Sequence, residues 1–141
     1  MECLKGSEMR KYEAKHNDIT VMVNDNSDIE YQGTISAMTQ NGSCAELSDL
    51  GKGIEVKGLN NPVYYFNRIK AQRGREGTGE GKALMIEICK VADEKGISIL
   101  NELNPYGNRD EKSLIEFFKE SGFEMFSEQA SVMVRKPKRP V

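Results

Sequence analysis

The stretch REGTGEGKALMIEICKVADEKG, from Arg75 to Gly96, divides the chain into two halves of different period. In front of it apolar and polar residues alternate, the mark of strands with one buried face. Behind it Ala83, Leu84, Ile86, Ile88, Val91 and Ala92 recur at helical spacing from Lys82 to Lys95, and Gly96 stands where a helix ends in a glycine cap. A chain that changes period in this way, with a run of strands first, folds as mixed α/β (α+β) with a largely antiparallel sheet.

The strands can be placed from their turns. RKYEAKH and ITVMVN flank Asn17 and Asp18, and YQGTISAMT is parted from SCAELSDL by Gln40, Asn41 and Gly42, a short hairpin signal. The segment from Asn60 to Pro62 punctuates before VYYFNRIKA, a strand rich in aromatic and β-branched residues. After the first helix, ISILNEL reads as a buried strand and RDEKSLIEFFKES as a second helix with Gly122 behind it. FEMFS and SVMVRK read as two closing strands. An N-terminal strand meander and two main helices packed on one sheet are the expected architecture.

At 141 residues the chain is long enough to bury a core without metal or disulfide support, and one domain over residues 1–134 is expected. RKPKRPV then forms a short basic tail over 135–141. The net charge of −2 provides no general drive toward nucleic acid or anionic lipid. Cys3, Cys44 and Cys89 have neither disulfide-framework nor zinc-site spacing, which fits a reducing compartment. No apolar run is long enough to span a bilayer, and MECLKGSEMRKYEAKHND lacks the apolar core of a signal peptide, so cytoplasmic residence is expected.

Gly77, Gly79 and Gly81 stand directly before the helix, where free N–H groups of the first turn can receive an anion. A P-loop is excluded because its first glycine position holds Glu76 and its hydroxyl position Ala83. A dinucleotide fingerprint is excluded as well: neither Gly77 nor Gly79 begins a G-x-G-x-x-G, and a meander precedes the loop in place of a β-α-β unit.

YYFNRIKAQRGREGTGEGKALMIEICKVADEKG resembles the acyl-coenzyme A motif of the GNAT (GCN5-related N-acetyltransferase) family, and LIEFFKESGFEMF resembles that family's closing helix, Gly-Phe pair and strand. The resemblance covers about Tyr64 to Phe126. It implies a GNAT-like fold, acetyl-CoA as the acyl donor, and transfer to an amine of a protein or small molecule. Backbone groups around Ile69, Lys70 and Ala71 would hold the pantetheine arm, and Gly77, Thr78, Gly79, Gly81 and Lys82 the diphosphate. The family's Gln/Arg position holds Glu76 in one register, with Arg73 and Arg75 supplying charge beside it. In the other register, with one residue inserted, Arg73 is the motif arginine. The helical pair usual between the family's first two strands is missing, and a hairpin turning at Asp25 to Asp28 takes its place. Many members pair through their last strands, so a homodimer is among the arrangements the resemblance allows.

The chemistry needs a base for the amine and a proton for the leaving thiolate. Glu102, on the opposite face of its strand from Ile97, Ile99 and Asn101, is the candidate base; a solvated carboxylate is the plainer reading. The family's acid is a tyrosine four residues before the Gly-Phe pair, and Phe118 stands there, which leaves Tyr106 as the nearest phenol in sequence. His16, with no Cys or Ser partner, reads as a strand histidine, and Cys89, Phe117, Phe118, Phe123, Met125 and Phe126 as core. Two other readings use the same residues. A catalytically weak GNAT-fold binding or regulatory protein would explain Glu76 and Phe118. A nucleic-acid or partner-binding domain would use Arg68, Lys70, Arg73, Arg75 and the tail, though nucleic acid is not the expected partner.

Overall fold

The computed structural model describes residues 10–27, 33–50, 55–59, 62–70, 74, 77–103 and 111–138. In chain order the elements are β1 (Arg10–His16), β2 (Ile19–Asp25), β3 (Thr34–Thr39), β4 (Cys44–Asp49), β5 (Val63–Lys70), α1 (Glu80–Lys95), β6 (Ser98–Glu102), α2 (Glu111–Glu120), β7 (Glu124–Ser127) and β8 (Val132–Arg135). The strands form one sheet in the order β1-β2-β3-β4-β5-β6-β8-β7. Each neighbouring pair is antiparallel except β5 with β6, the two strands that α1 connects. This is the mixed, mostly antiparallel architecture with two main helices that the sequence predicts.

Alternation in the meander sends Val21, Val23, Ile35, Ala37, Ala45, Leu47, Tyr64 and Phe66 to one face of the sheet, where they join Leu84 and Ile88 of α1 and Leu114 and Phe118 of α2 in a single core. Both helices therefore pack on the same face. Phe118 stacks edge-on against Phe66, Phe117 and Phe123 at centroid distances of 5.9, 5.3 and 5.2 Å, an arrangement that aromatic quadrupoles favour.

The two helices end alike. At α1 the N–H of Ile97 donates to the Ala92 carbonyl and that of Gly96 to Asp93; at α2 the N–H of Phe123 donates to Phe118 and that of Gly122 to Lys119. This paired capping satisfies carbonyls the helix itself leaves open, and it turns the chain straight into the next strand.

Four details depart from the expectations. α1 starts at Glu80, which brings Gly81 inside the helix. Ile86 is 44% exposed and Phe126 41%, so neither belongs to the core. Glu87, the neighbour of Ile86, is buried instead, because its carboxylate accepts from Tyr12 Oη at 3.1 Å and meets His16 Nε2 at 2.8 Å. Burial first, and then Glu87, holds the Tyr12 phenol above its ordinary range. Asp25 is not at a turn tip: it closes β2, buried, with Lys95 at 2.9 Å. Asp28 lies outside the described residues.

The C-terminal end of α1 is fastened to β8. Arg135, its side chain 4% exposed, donates to both Asp93 oxygens at 2.8 and 3.0 Å, and the Lys138 N–H donates to Asp93 Oδ1 at 2.8 Å. Burial alone would raise the Asp93 carboxyl, but these bonds and charges outweigh it and hold the group below the usual carboxylate range. A depressed folded-state value means that stability is fully present above about pH 4 and is lost as pH falls further through the Asp93 value. Asp93→Asn, which leaves Arg135 buried without its counter-charge, is expected to cost about 3 kcal/mol at pH 7. Urea unfolding at pH 7 and pH 3 should show that difference shrinking in acid.

Candidate functional site

β5 and β6 are joined only by the pairs Val63↔Ser98, Tyr64↔Ile99 and Tyr65↔Leu100. Beyond Leu100, β6 stays with β8, where Asn101 faces Met133 and Glu102 faces Val132. β5 stays with β4 out to Lys70, opposite Cys44. The two strands therefore fork. From Phe66 to Lys70 the edge of β5 that faces the fork has no strand partner among the described residues. Such an edge presents N–H and C=O groups ready to pair with an extended polar chain.

The same segment carries a bulge. Leu47 pairs with Phe66 and Glu46 with Arg68, which leaves Asn67 as the extra residue on β5. The bulge resets the alternation, so Phe66 and Ile69 are both buried while Asn67, Arg68 and Lys70 are exposed. An added residue also bends the strand, which fits with β5 leaving β6 here. The Asn67 amide donates to Glu46 Oε1 at 3.1 Å and to Ser48 Oγ, fixing the bulge to β4.

The far end of the β5 edge leads to the glycine loop. Gly77 and Gly79 have φ of 79° and 91°, backbone that a side chain would strain, and Gly79 is the N-cap of α1. Gly81 needs no such freedom: it has no positive φ, and a Cβ there would meet nothing nearer than Phe117 Cζ at 3.8 Å. The first bond of the helix runs from the Ala83 N–H to the Gly79 carbonyl, so the Gly81 and Lys82 N–H groups have no acceptor within the helix. Lys82 is exposed beside them. Thr78 lies in the same loop, also exposed.

Glu80 is the residue that sequence reasoning passed over. Its side chain is fully buried and accepts from Thr39 Oγ1 at 2.9 Å, Ser43 Oγ at 2.6 Å and Asn41 Nδ2 at 2.7 Å. One carboxyl group thus ties the start of α1 to the β3–β4 turn, with both oxygens directed inward. The next turn is linked in turn, since the Gln40 side chain accepts from the Thr20 N–H and donates to the Asp18 carbonyl. The only sequence signal was an acidic residue in the first turn of a helix, common for the dipole alone.

Glu102 is exposed at the mouth of the fork, on the face away from the helices, and Tyr65 Oη donates to its Oε1 at 3.1 Å. The structure thus pairs Glu102 with a phenol that was not singled out in the sequence. Ile69 and Lys70 lie on the free edge of β5. Ala71, Arg73, Arg75 and Tyr106 fall outside the described residues. Phe118 is fully buried within its aromatic cluster and carries no proton to give. Cys89 lines a groove of about 1200 Å³ between α1, α2 and Arg135, whose lining also includes Lys82, and burial pushes its thiol up to about 11, which keeps it protonated.

No family model matches the chain, and no curated protein matches it. Among solved structures it is similar to a provisionally assigned acetyltransferase of the GNAT family from Desulfovibrio desulfuricans, at 14% identity and a TM-score of 0.47, over 74% of this chain and 67% of that one. It is also similar to a point mutant of the toxin AtaT bound to the C-terminus of the antitoxin AtaR and acetyl-CoA, at 16% identity and a TM-score of 0.48, over 85% of this chain and 94% of that one.

Removing the Glu80 carboxyl should loosen the whole loop. Glu80→Ala leaves three donors without their acceptor and is expected to cost about 3 kcal/mol or more, whereas Glu80→Gln, which keeps an oxygen, should cost about 1 kcal/mol. Urea titrations of the two variants beside the native protein measure the difference.

Proposed function

We propose that the protein is an acetyl-CoA-dependent N-acetyltransferase acting on an amine of a protein or small molecule. The observation that carries this reading is the fork, whose free and bulged β5 edge is followed in the chain by the glycine-lined start of α1. An acyl-coenzyme A has the complementary form: a diphosphate at one end, an arm containing two amides in the middle, and a thioester at the other end. The diphosphate fits the first-turn N–H groups and Lys82. The arm fits the edge of β5 from Phe66 through Ile69 and Lys70, and Ala71, the next residue in the chain, would add to the same contact. Arg73 and Arg75, in the connection to the loop, would add positive charge near the diphosphate.

The donor supplies an acetyl thioester. Transfer forms a C–N bond to the amine, breaks the C–S bond and releases a thiolate, while one proton leaves the amine and one reaches the sulfur. Glu102 would take the first proton, directly or through water, with the hydrogen bond from Tyr65 orienting its carboxyl. The proton for the sulfur comes from solvent or from Tyr106, since Phe118 has none. The sealed ring of Phe118 also favours a second reading, in which the chain holds the donor and turns it over slowly or not at all.

The test is calorimetric titration with acetyl-CoA. A variant at Gly79 would confound strain with binding because of its positive φ, so Lys82→Glu is the cleaner change: the side chain is exposed, and reversing it should move stability by less than about 0.5 kcal/mol. The native protein should bind acetyl-CoA, and the variant should bind at least about tenfold more weakly. Absence of binding by the native protein at millimolar donor would contradict the proposal.

A further inference from the structure

Asn101 is fully buried, and neither its Oδ1 nor its Nδ2 has a hydrogen-bond partner. Its neighbours are apolar: Ile99 on the same face of β6, Leu103 just beyond the end of that strand, and Met133 opposite it on β8, all members of the core. Any of the aliphatic residues around it would fill this place without an unsatisfied amide, so a carboxamide here is costly to the fold and calls for an explanation outside it. Its position supplies one. The last pair joining β5 to β6 is Tyr65↔Leu100, so Asn101 is the first residue of β6 beyond the fork. It lies on the helix-bearing face, while Glu102, the next residue, lies on the other.

We infer that the Asn101 carboxamide contacts the reacting end of the acyl donor and helps to catalyse the transfer. The inference rests on the proposed acetyltransferase reading and extends it to a residue outside the loop and the β5 edge. The fork is the end of the β5 edge farthest from the glycine loop. A donor whose diphosphate lies at α1 and whose arm follows Lys70 back to Phe66 therefore delivers its thioester beside Asn101. Nδ2 donates to the thioester carbonyl oxygen, where negative charge grows as the amine adds. Oδ1 accepts an N–H of the attacking amine, which must approach the same carbon. One planar group thus supplies both a donor and an acceptor, the two functions left unused in the fold.

Free coenzyme A has the diphosphate and the arm but no acyl carbonyl, so comparing it with acetyl-CoA isolates the contact. Titrations of the native protein and of Asn101→Val, a β-branched apolar replacement suited to a strand, are the experiment, with circular dichroism to verify the fold. The native protein should prefer acetyl-CoA over coenzyme A by about threefold or more, and the variant should lose that preference while its affinity for coenzyme A changes by less than about twofold. Asn101→Ala serves in the same comparison should the valine be too bulky for the site. Equal native affinity for the two ligands, or a preference that survives in the variant, overturns the role of Asn101 and leaves the proposed function standing. Native protein that binds neither ligand overturns the proposed function, and this inference with it.

Discussion

A parallel pair within an antiparallel sheet requires a crossover, and the crossover helix decides how far its two strands can run together. Here α1 is fixed at both ends. Its first turn is tied to the β3–β4 turn through Glu80, and its last turn to β8 through Asp93 and Arg135. β6 is committed to β8 and β5 to β4, and the bulge at Asn67 falls where β5 parts from its parallel neighbour. The fork follows from these commitments. A separate binding loop is not needed to create it, because the strands that make the core also make the cleft.

Much of this was legible in the sequence because it is local. The change of period, the hairpin residues at Asn17, Asp18, Asn41 and Gly42, and the glycines at 96 and 122 act through their immediate neighbours and identified the elements correctly. What escaped depends on partners far away in the chain. Glu80 meets residues of the β3–β4 turn, Glu87 meets Tyr12 and His16, and Tyr65 meets Glu102. Nothing in the local pattern distinguishes such a buried carboxylate from a solvated one. The exposure of Ile86 and Phe126 escaped for a related reason: periodicity shows which residues share a face, but not how far the opposing surface extends.

The glycine loop is the instructive intermediate case. Its proposed role in receiving an anion rests on three glycines before a helix, yet they are not equivalent. Gly77 and Gly79 are required by the backbone, and Gly81 is an ordinary helical position whose missing side chain leaves room beside Phe117. A glycine in a helix costs up to about 1 kcal/mol relative to alanine, so close approach of a ligand is a physical reason to have one there. Asn101 belongs to the same category as Gly81: each is locally unfavourable, each lies on the proposed path of the donor, and the fold uses neither. Local cost concentrated along one path is what a binding site is expected to display.

The most direct test of that path is a backbone-amide NMR titration of the native protein with coenzyme A. The account predicts saturable shifts in the amides of Gly77 to Lys82 and of Phe66 to Lys70, two segments separated in sequence and joined by the ligand. Saturable shifts confined to the part of the α1–α2 groove beyond Lys82, from Met85 to Gly96 and Phe117 to Ser121, or no shifts at millimolar ligand, would contradict it.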